Sequence, residues 1–166
     1  MSTMDAESTA AIDFAVAANR DEGEWMVSAL PPRAATELAV LLRTLQQLPS
    51  DVGTIGMVSV DEDFFVLARV SGTHVRLLLS DVGAATESPL ARAVVEHLQL
   101  PPPDDDDDQM QPAGDLGILA DLGLPAMVLG AMCDDADMFP DELLADIASR
   151  LGFGDAFDEL LDTVLA

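Results

Sequence analysis

Histidine and cysteine, the usual ligands of zinc and other transition metals, are scarce in this chain. Its 166 residues include two histidines, His74 and His97, and one cysteine, Cys133. A zinc site needs three or four converging ligands, and His-x-x-x-His or Cys-x-x-Cys spacing is its usual trace. Neither spacing occurs in the sequence. We interpret both histidines as surface or boundary residues, one at a hairpin and one on a helix, and predict no metal ligands and no cofactor.

Nucleophilic and acid–base chemistry are also poorly supported. The apolar neighbours of Cys133, among them Met127, Val128 and Met132, favour a buried, inert thiol. The sequence holds no glycine-rich phosphate loop and no Gly-x-Ser-x-Gly elbow. Carboxylates are abundant, but no pattern marks a pair for general acid–base catalysis. We therefore predict no catalytic residues and no enzymatic activity, and an unrecognised enzyme with a carboxylate-lined pocket is the alternative.

A run of five aspartates, Asp104 to Asp108, could bind divalent cations. Calcium loops, however, alternate their ligands with other residues and use a glycine for the sharp turn. A consecutive run lacks this arrangement. We interpret the run as part of a solvated linker.

Two arginines form the one constellation with a specific geometry. If a hairpin turn centres on Gly72-Thr73, then Arg69 and Arg76 lie opposite each other on one face of the hairpin. Like charges in this arrangement are unfavourable unless an anion or a carboxylate lies between them. Asp61 or Asp63 could supply that carboxylate. The functional alternative is a local spot that accepts an anion or contacts a partner, and we do not assign it as a site.

The overall charge limits the classes of partner. The chain has 31 acidic residues, seven arginines and no lysine, which gives a net charge of −24, and 49% of its residues are apolar. That apolar content predicts a folded protein in spite of the charge. The negative surface disfavours direct binding to nucleic acid or to anionic lipid and favours basic protein partners, although solubility alone would also explain it.

The sequence also indicates the compartment. The N-terminus lacks the basic-then-apolar order of a secretory signal, and no apolar run approaches the ~20 residues that cross a bilayer. A single cysteine excludes an internal disulfide. We expect a cytoplasmic protein with no membrane association.

Periodicity predicts a sheet with two helices in the first hundred residues. After a flexible tail at 1–10, alternating apolar residues from Ile12 to Ala29 predict a hairpin with its turn at 20–23. Leucines at 38–48 follow helical spacing, and segments 54–60, 64–70 and 74–80 predict a three-stranded meander. Ser88 and Pro89 begin a second helix, which Pro101 ends.

The second part of the chain differs in composition. Residues 101–113 form a linker rich in proline and aspartate, and residues 114–166 read as a helical subdomain. Its predicted helices are 115–122, 125–133 with Pro125 first, 140–151 with Gly152 as C-cap, and 155–165 with Asp155 as N-cap. The methionines at 127 and 132 are assigned to the core, with a methionine-rich docking face as the alternative.

Together these patterns predict an α+β fold. An antiparallel sheet of about five strands, residues 11–100, carries helices on one face. The acidic linker and the small all-helical C-terminal part follow it. That part is short for an independent core, so we expect it to pack on itself with help from the sheet domain or from a partner.

The order of these segments resembles a known family. The opening hairpin with Phe14-Ala15-Val16 and Gly23-Glu24-Trp25 is followed by the leucine helix, by the segment 63–70 and by Leu77-Leu78-Leu79-Ser80-Asp81. With the aspartate-rich linker and helical tail, this order resembles the tRNA adenosine deaminase-associated proteins of high-GC bacteria over residues 11–164. The resemblance implies no catalytic residues. The chain also lacks the His-x-Glu and Pro-Cys-x-x-Cys motifs of a zinc deaminase.

The resemblance and the charge lead to one main functional hypothesis. The protein is predicted to be a non-catalytic accessory protein that associates with a basic partner and modulates it, and the resemblance suggests a tRNA adenosine deaminase as that partner. The alternative is an acidic mimic of nucleic acid that inhibits an RNA-binding protein.

Overall fold

The computed structural model describes residues 12–48, 50, 53–60, 64–83, 88–99, 112–135 and 137–164. In these ranges the chain forms an antiparallel sheet with the strand order β2-β1-β3-β4-β5-β6 and five α-helices, which confirms the predicted α+β class. The strands are β1 (Ile12–Asp21), β2 (Glu24–Ala29), β3 (Thr54–Val60), β4 (Phe64–Ser71), β5 (His74–Leu79) and β6 (Ala113–Gly114). The helices are α1 (Leu38–Gln46), α2 (Pro89–His97), α3 (Ala126–Cys133), α4 (Pro140–Leu151) and α5 (Gly154–Val164).

The β1–β2 hairpin closes at the predicted turn. Glu22 and Gly23 both have positive φ, 54° and 83°, as the tight two-residue turns of twisted hairpins require. This turn aligns Arg20 with Trp25 across the hairpin. Because side chains alternate between faces, Trp25 and Val27 then share a face with the core residues Phe14 and Val16.

The sheet is covered on both faces. Helices α1 and α2 pack on one face, where Leu41 and Leu90 are buried with Val58 and Val66. This confirms the prediction that the two N-terminal helices share a face. The C-terminal helices pack on the other face and share a core with the alternate residues of β3 and β4. The central residues of this second core are Met57, Phe65, Leu67, Leu144, Ile147 and Phe157.

One glycine sets the approach of α1 to the sheet. A Cβ atom on Gly56 would lie 2.9 Å from Leu45 Cδ1 and 3.2 Å from Leu41 Cδ1. The absence of a side chain at Gly56 therefore allows these leucines to contact the backbone of β3 directly.

The segment after the predicted linker differs from the sequence expectation. The predicted helix at 115–122 is wrong, because β6 ends at Gly114, turns follow, and a short 3₁₀ turn covers Ala120–Leu122. The Asp115 side chain accepts a hydrogen bond from the Gly117 amide, and Gly123 ends the 3₁₀ turn with a φ of 108°. This local bonding and the two glycines favour turns over a continuous helix.

Most of the helix ends lie at or next to the residues that the sequence predicts. Ser88 caps α2 by accepting a hydrogen bond from the Ala91 amide, and Gly152 ends α4 in the left-handed conformation, as predicted. Helix α3 begins at Ala126, with Pro125 as its N-cap, and α5 begins at Gly154, so Asp155 lies in the first turn. The tail at 1–10, the turn at 61–63 and Asp104 to Asp108 lie outside the described residues. No helix in the described ranges is long and apolar enough to span a bilayer.

Candidate interaction surface

The arginine pair has the register that the sequence predicts. Strands β4 and β5 place Arg69 directly opposite Arg76, with the turn at Gly72-Thr73. Arg69 lies two residues after Leu67, and Arg76 lies two residues before Leu78. Since both leucines belong to the core beneath the C-terminal helices, the two arginines lie on that face.

Two aspartates from beyond the linker accompany these arginines. The Arg69 Nη1 and Nη2 atoms donate to Asp121 Oδ1 and Oδ2 at 2.5 and 2.9 Å, and Nη1 also donates to the Ile118 carbonyl at 2.8 Å. Arg76 donates to Asp115 Oδ2 at 2.6 Å through Nε and to the Gly117 carbonyl at 2.7 Å through Nη2. Asp61 and Asp63, the acids that the sequence suggested, lie outside the described residues. We call Arg69, Arg76, Asp115 and Asp121 the arginine–aspartate clasp.

The clasp holds the segment from β6 to α3 against the sheet. The Arg69 side chain is 8% exposed, so its charge is largely removed from water, whereas Asp121 is 59% exposed. The hydrogen bond from Arg69 lowers the pKa of Asp121 below its usual value. A further bond, from the Asp115 amide to the Leu77 carbonyl, extends the pairing of β5 with β6. The two positive charges are thus matched by two carboxylates, which favours the structural interpretation of the pair over an anion site.

Other arginines are also engaged in internal contacts. Arg33 pairs with Glu37 at 2.8 Å, and Arg150 pairs with Asp146 at 3.2 Å, each one helical turn apart. The Arg20 guanidinium lies 5.6 Å from the centre of the Trp25 ring. These contacts leave an excess of carboxylates to define the electrostatic field of the molecule.

Acidic residues flank α3 along the chain. Residues 121–149 contain seven acids and no arginine, lysine or histidine. The acids in this range are Asp121, Asp134, Asp135, Asp137, Asp141, Glu142 and Asp146. Asp134, Asp137 and Glu142 are exposed. Asp121 and Asp146 pair with Arg69 and Arg150, and the other five acids give this part of the chain a net negative charge.

Helix α3 exposes apolar side chains within this negative region. Met132 is buried in the core, as predicted, but Met127 is 86% exposed, so its assignment to the core is wrong. Phe139, immediately before α4, is 56% exposed. Met26, on β2, is the third large apolar side chain that is exposed in the described ranges. Hydropathy alone does not predict this surface, because α3 is apolar along its whole length and such a sequence indicates a buried helix.

The side chains suited to metal binding or nucleophilic catalysis lie on three different elements. Cys133 is buried, as expected, and burial together with the Asp134 charge raises the pKa of its thiol to about 12. His74, at the start of β5, and His97, at the end of α2, are both exposed. Among the residues that the structure describes, no three His, Cys, Asp or Glu side chains are grouped closely enough to hold a metal ion.

The fold and this surface define the protein as a small acidic α+β protein with an apolar surface set among carboxylates. Residues 13–154 match the model of the Rv3753c-like tRNA adenosine deaminase-associated protein family, and the chain belongs to this family. Protein Rv3753c of Mycobacterium tuberculosis is 39% identical over 151 residues, which cover 90% of this chain and 87% of the relative. The comparison with solved structures finds no match.

Proposed function

We propose that this protein is a non-catalytic accessory protein that binds a basic partner, a tRNA adenosine deaminase, and modulates its activity in the cytoplasm. The observation that carries the proposal is the distribution of charge. The chain has a net charge of −24, and most of its arginines are engaged with its own carboxylates or with Trp25. An enzyme that binds tRNA needs a positive surface to neutralise phosphates, and such a surface attracts this protein.

Two further observations support an accessory role. The family is named for its association with the deaminase, which makes that enzyme the first partner to test. The thiol of Cys133 is buried with a raised pKa, and a thiol that stays protonated is a poor nucleophile. The sequence and the described residues thus supply features that suit recognition better than chemistry.

The test is a calorimetric titration of the deaminase with this protein at several salt concentrations. We expect a saturable interaction that weakens as salt rises, because exposed charges attract less strongly when they are screened. Incubation of the protein alone with tRNA is expected to leave adenosine unconverted. Absence of binding at low salt, or deamination by the protein alone, would contradict the proposal.

The same titration in the presence of tRNA distinguishes two kinds of modulation. If tRNA competes with the protein, the two share a basic surface, and the protein acts as a nucleic-acid mimic. If the protein binds equally well to the tRNA-loaded deaminase, it occupies a separate surface of the enzyme.

A further inference from the structure

Helix α3 differs from the other surface helices of this protein. Its sequence, Ala-Met-Val-Leu-Gly-Ala-Met-Cys, contains no charged residue, whereas α4 and α5 alternate apolar and acidic positions. A helix that is apolar on all sides is normally buried. Here only one side is buried, through Leu129, Met132 and Cys133.

The opposite side of α3 presents an apolar stripe to solvent. Met127 and Ala131, four residues apart and hence on one side of the helix, are both exposed, and Ala126 is exposed beside them. We call Ala126, Met127 and Ala131 the α3 stripe. The clasp fixes the segment that leads into α3, so the helix is presented on a supported scaffold. Methionine is well suited to docking, since its flexible thioether adapts to a partner.

The surrounding charge restricts what can cover the stripe. Residues 121–149 carry seven acids and no cation. In the described ranges, only Asp121 and Asp146 of these acids are paired with arginines, Arg69 and Arg150. Asp134 follows the stripe by a further helical turn. A second copy of this chain would bring the same acidic segment against itself, and RNA or an anionic membrane would also be repelled.

We infer that the α3 stripe is the docking surface for a basic protein partner, and that Met127 inserts into an apolar pocket that lysine or arginine side chains surround on that partner. Apolar anchors within a complementary charged rim are the usual composition of a specific interface. The inference rests on the proposed function in requiring a basic protein partner. It adds the surface that binds and the residue that anchors it.

The first test compares two exposed methionines. Met127→Gln is expected to weaken binding to the deaminase about tenfold, which is typical of the loss of an interface anchor. Met26→Gln, on β2, is the matched control and is expected to leave affinity unchanged, since Met26 is also exposed, at 46%. Unaltered circular dichroism would show that both variants fold. Equal binding by wild type and Met127→Gln would overturn the inference while the proposed function stands.

A second test does not depend on the deaminase. Methionine methyl groups are labelled for NMR, and the whole chain is titrated with a synthetic helix that carries leucines on one face and arginines on the other. The Met127 signal is expected to shift saturably while the Met26 signal stays fixed. An arginine peptide without leucines is expected to leave the Met127 signal unshifted. No shift of Met127, or the same shift with both peptides, would overturn the inference, whereas a specific shift without deaminase binding would refute only the proposed partner.

Discussion

Replacement of Asp121 by asparagine tests whether the arginine–aspartate clasp holds the segment from β6 to α3 against the sheet. The substitution preserves the shape of the side chain but removes the charge that faces the buried Arg69 guanidinium. Arg69 keeps its hydrogen bond to the Ile118 carbonyl. The loss is therefore that of a charged, bidentate partner.

The structure sets the size of the effect. Hydrogen bonds to charged groups contribute about 1.5–3 kcal/mol, and a fully exposed ion pair contributes about 0.2–1 kcal/mol. Because Arg69 is 8% exposed and Asp121 is 59% exposed, the pair lies between these limits. We expect Asp121→Asn to lower the free energy of unfolding by about 1–2 kcal/mol, which corresponds to a melting temperature about 2–8 °C lower.

The assay is urea unfolding monitored by circular dichroism, and Asp158→Asn is the control. Asp158 is exposed on α5, so its replacement removes the same unit of negative charge outside the clasp and is expected to change stability by less than about 0.5 kcal/mol. The comparison separates loss of the clasp from relief of repulsion in a chain of net charge −24.

The pH dependence supplies an independent check. Folding lowers the pKa of Asp121, so its contribution is present above the pKa of an unfolded aspartate and is lost as pH falls through the folded value. The stability difference between wild type and Asp121→Asn should therefore disappear in acid. If Asp121→Asn is as stable as Asp158→Asn at neutral pH, the clasp makes no net contribution and this account of it is wrong.

The remaining predictions concern the core between the sheet and the C-terminal helices. Phe157→Ala should lower the free energy of unfolding in urea by about 3–5 kcal/mol, because Phe157 is fully buried and its ring lies edge-on to Phe14 on β1, with 5.6 Å between the ring centres. A decrease below ~1 kcal/mol would show that α5 adds little to the core. Cys133 should react with a thiol reagent far more slowly in the native protein than in urea, since it is buried with a pKa of about 12. Equal rates would contradict this placement. Raising the pH above the ordinary thiol pKa should also destabilise the fold slightly, because only the unfolded chain then loses the Cys133 proton.

The sequence predicts most of the N-terminal half because its signals are local. The turn at Glu22-Gly23, the leucine spacing of α1 and the cap at Ser88 each involve neighbouring residues. The register of Arg69 with Arg76 is also local, since only the turn at Gly72-Thr73 separates their strands.

The features that the sequence did not predict depend on distant contacts. Asp115 and Asp121 are 39 and 52 positions from the arginines that they pair with, and nothing in the sequence distinguishes these two from the other acids. The two-residue strand β6 exists through its pairing with β5, so it has no periodicity of its own. The packing of the C-terminal helices on the second face of the sheet follows from the same long-range contacts.

The candidate interaction surface could not be predicted from the sequence for a different reason. An apolar segment such as α3 has the same composition whether it lies in the core or on an interface, so sequence alone favours the core. Exposure of Met127 becomes visible only when Leu129 and Met132 are seen to occupy the buried side of the helix.

Binding of this protein to the deaminase is tested most directly by size-exclusion chromatography with light scattering on the mixed proteins, at low and at moderate salt. We expect a stoichiometric complex at low salt that dissociates progressively as salt rises. Separate elution of the two proteins at low salt would contradict it.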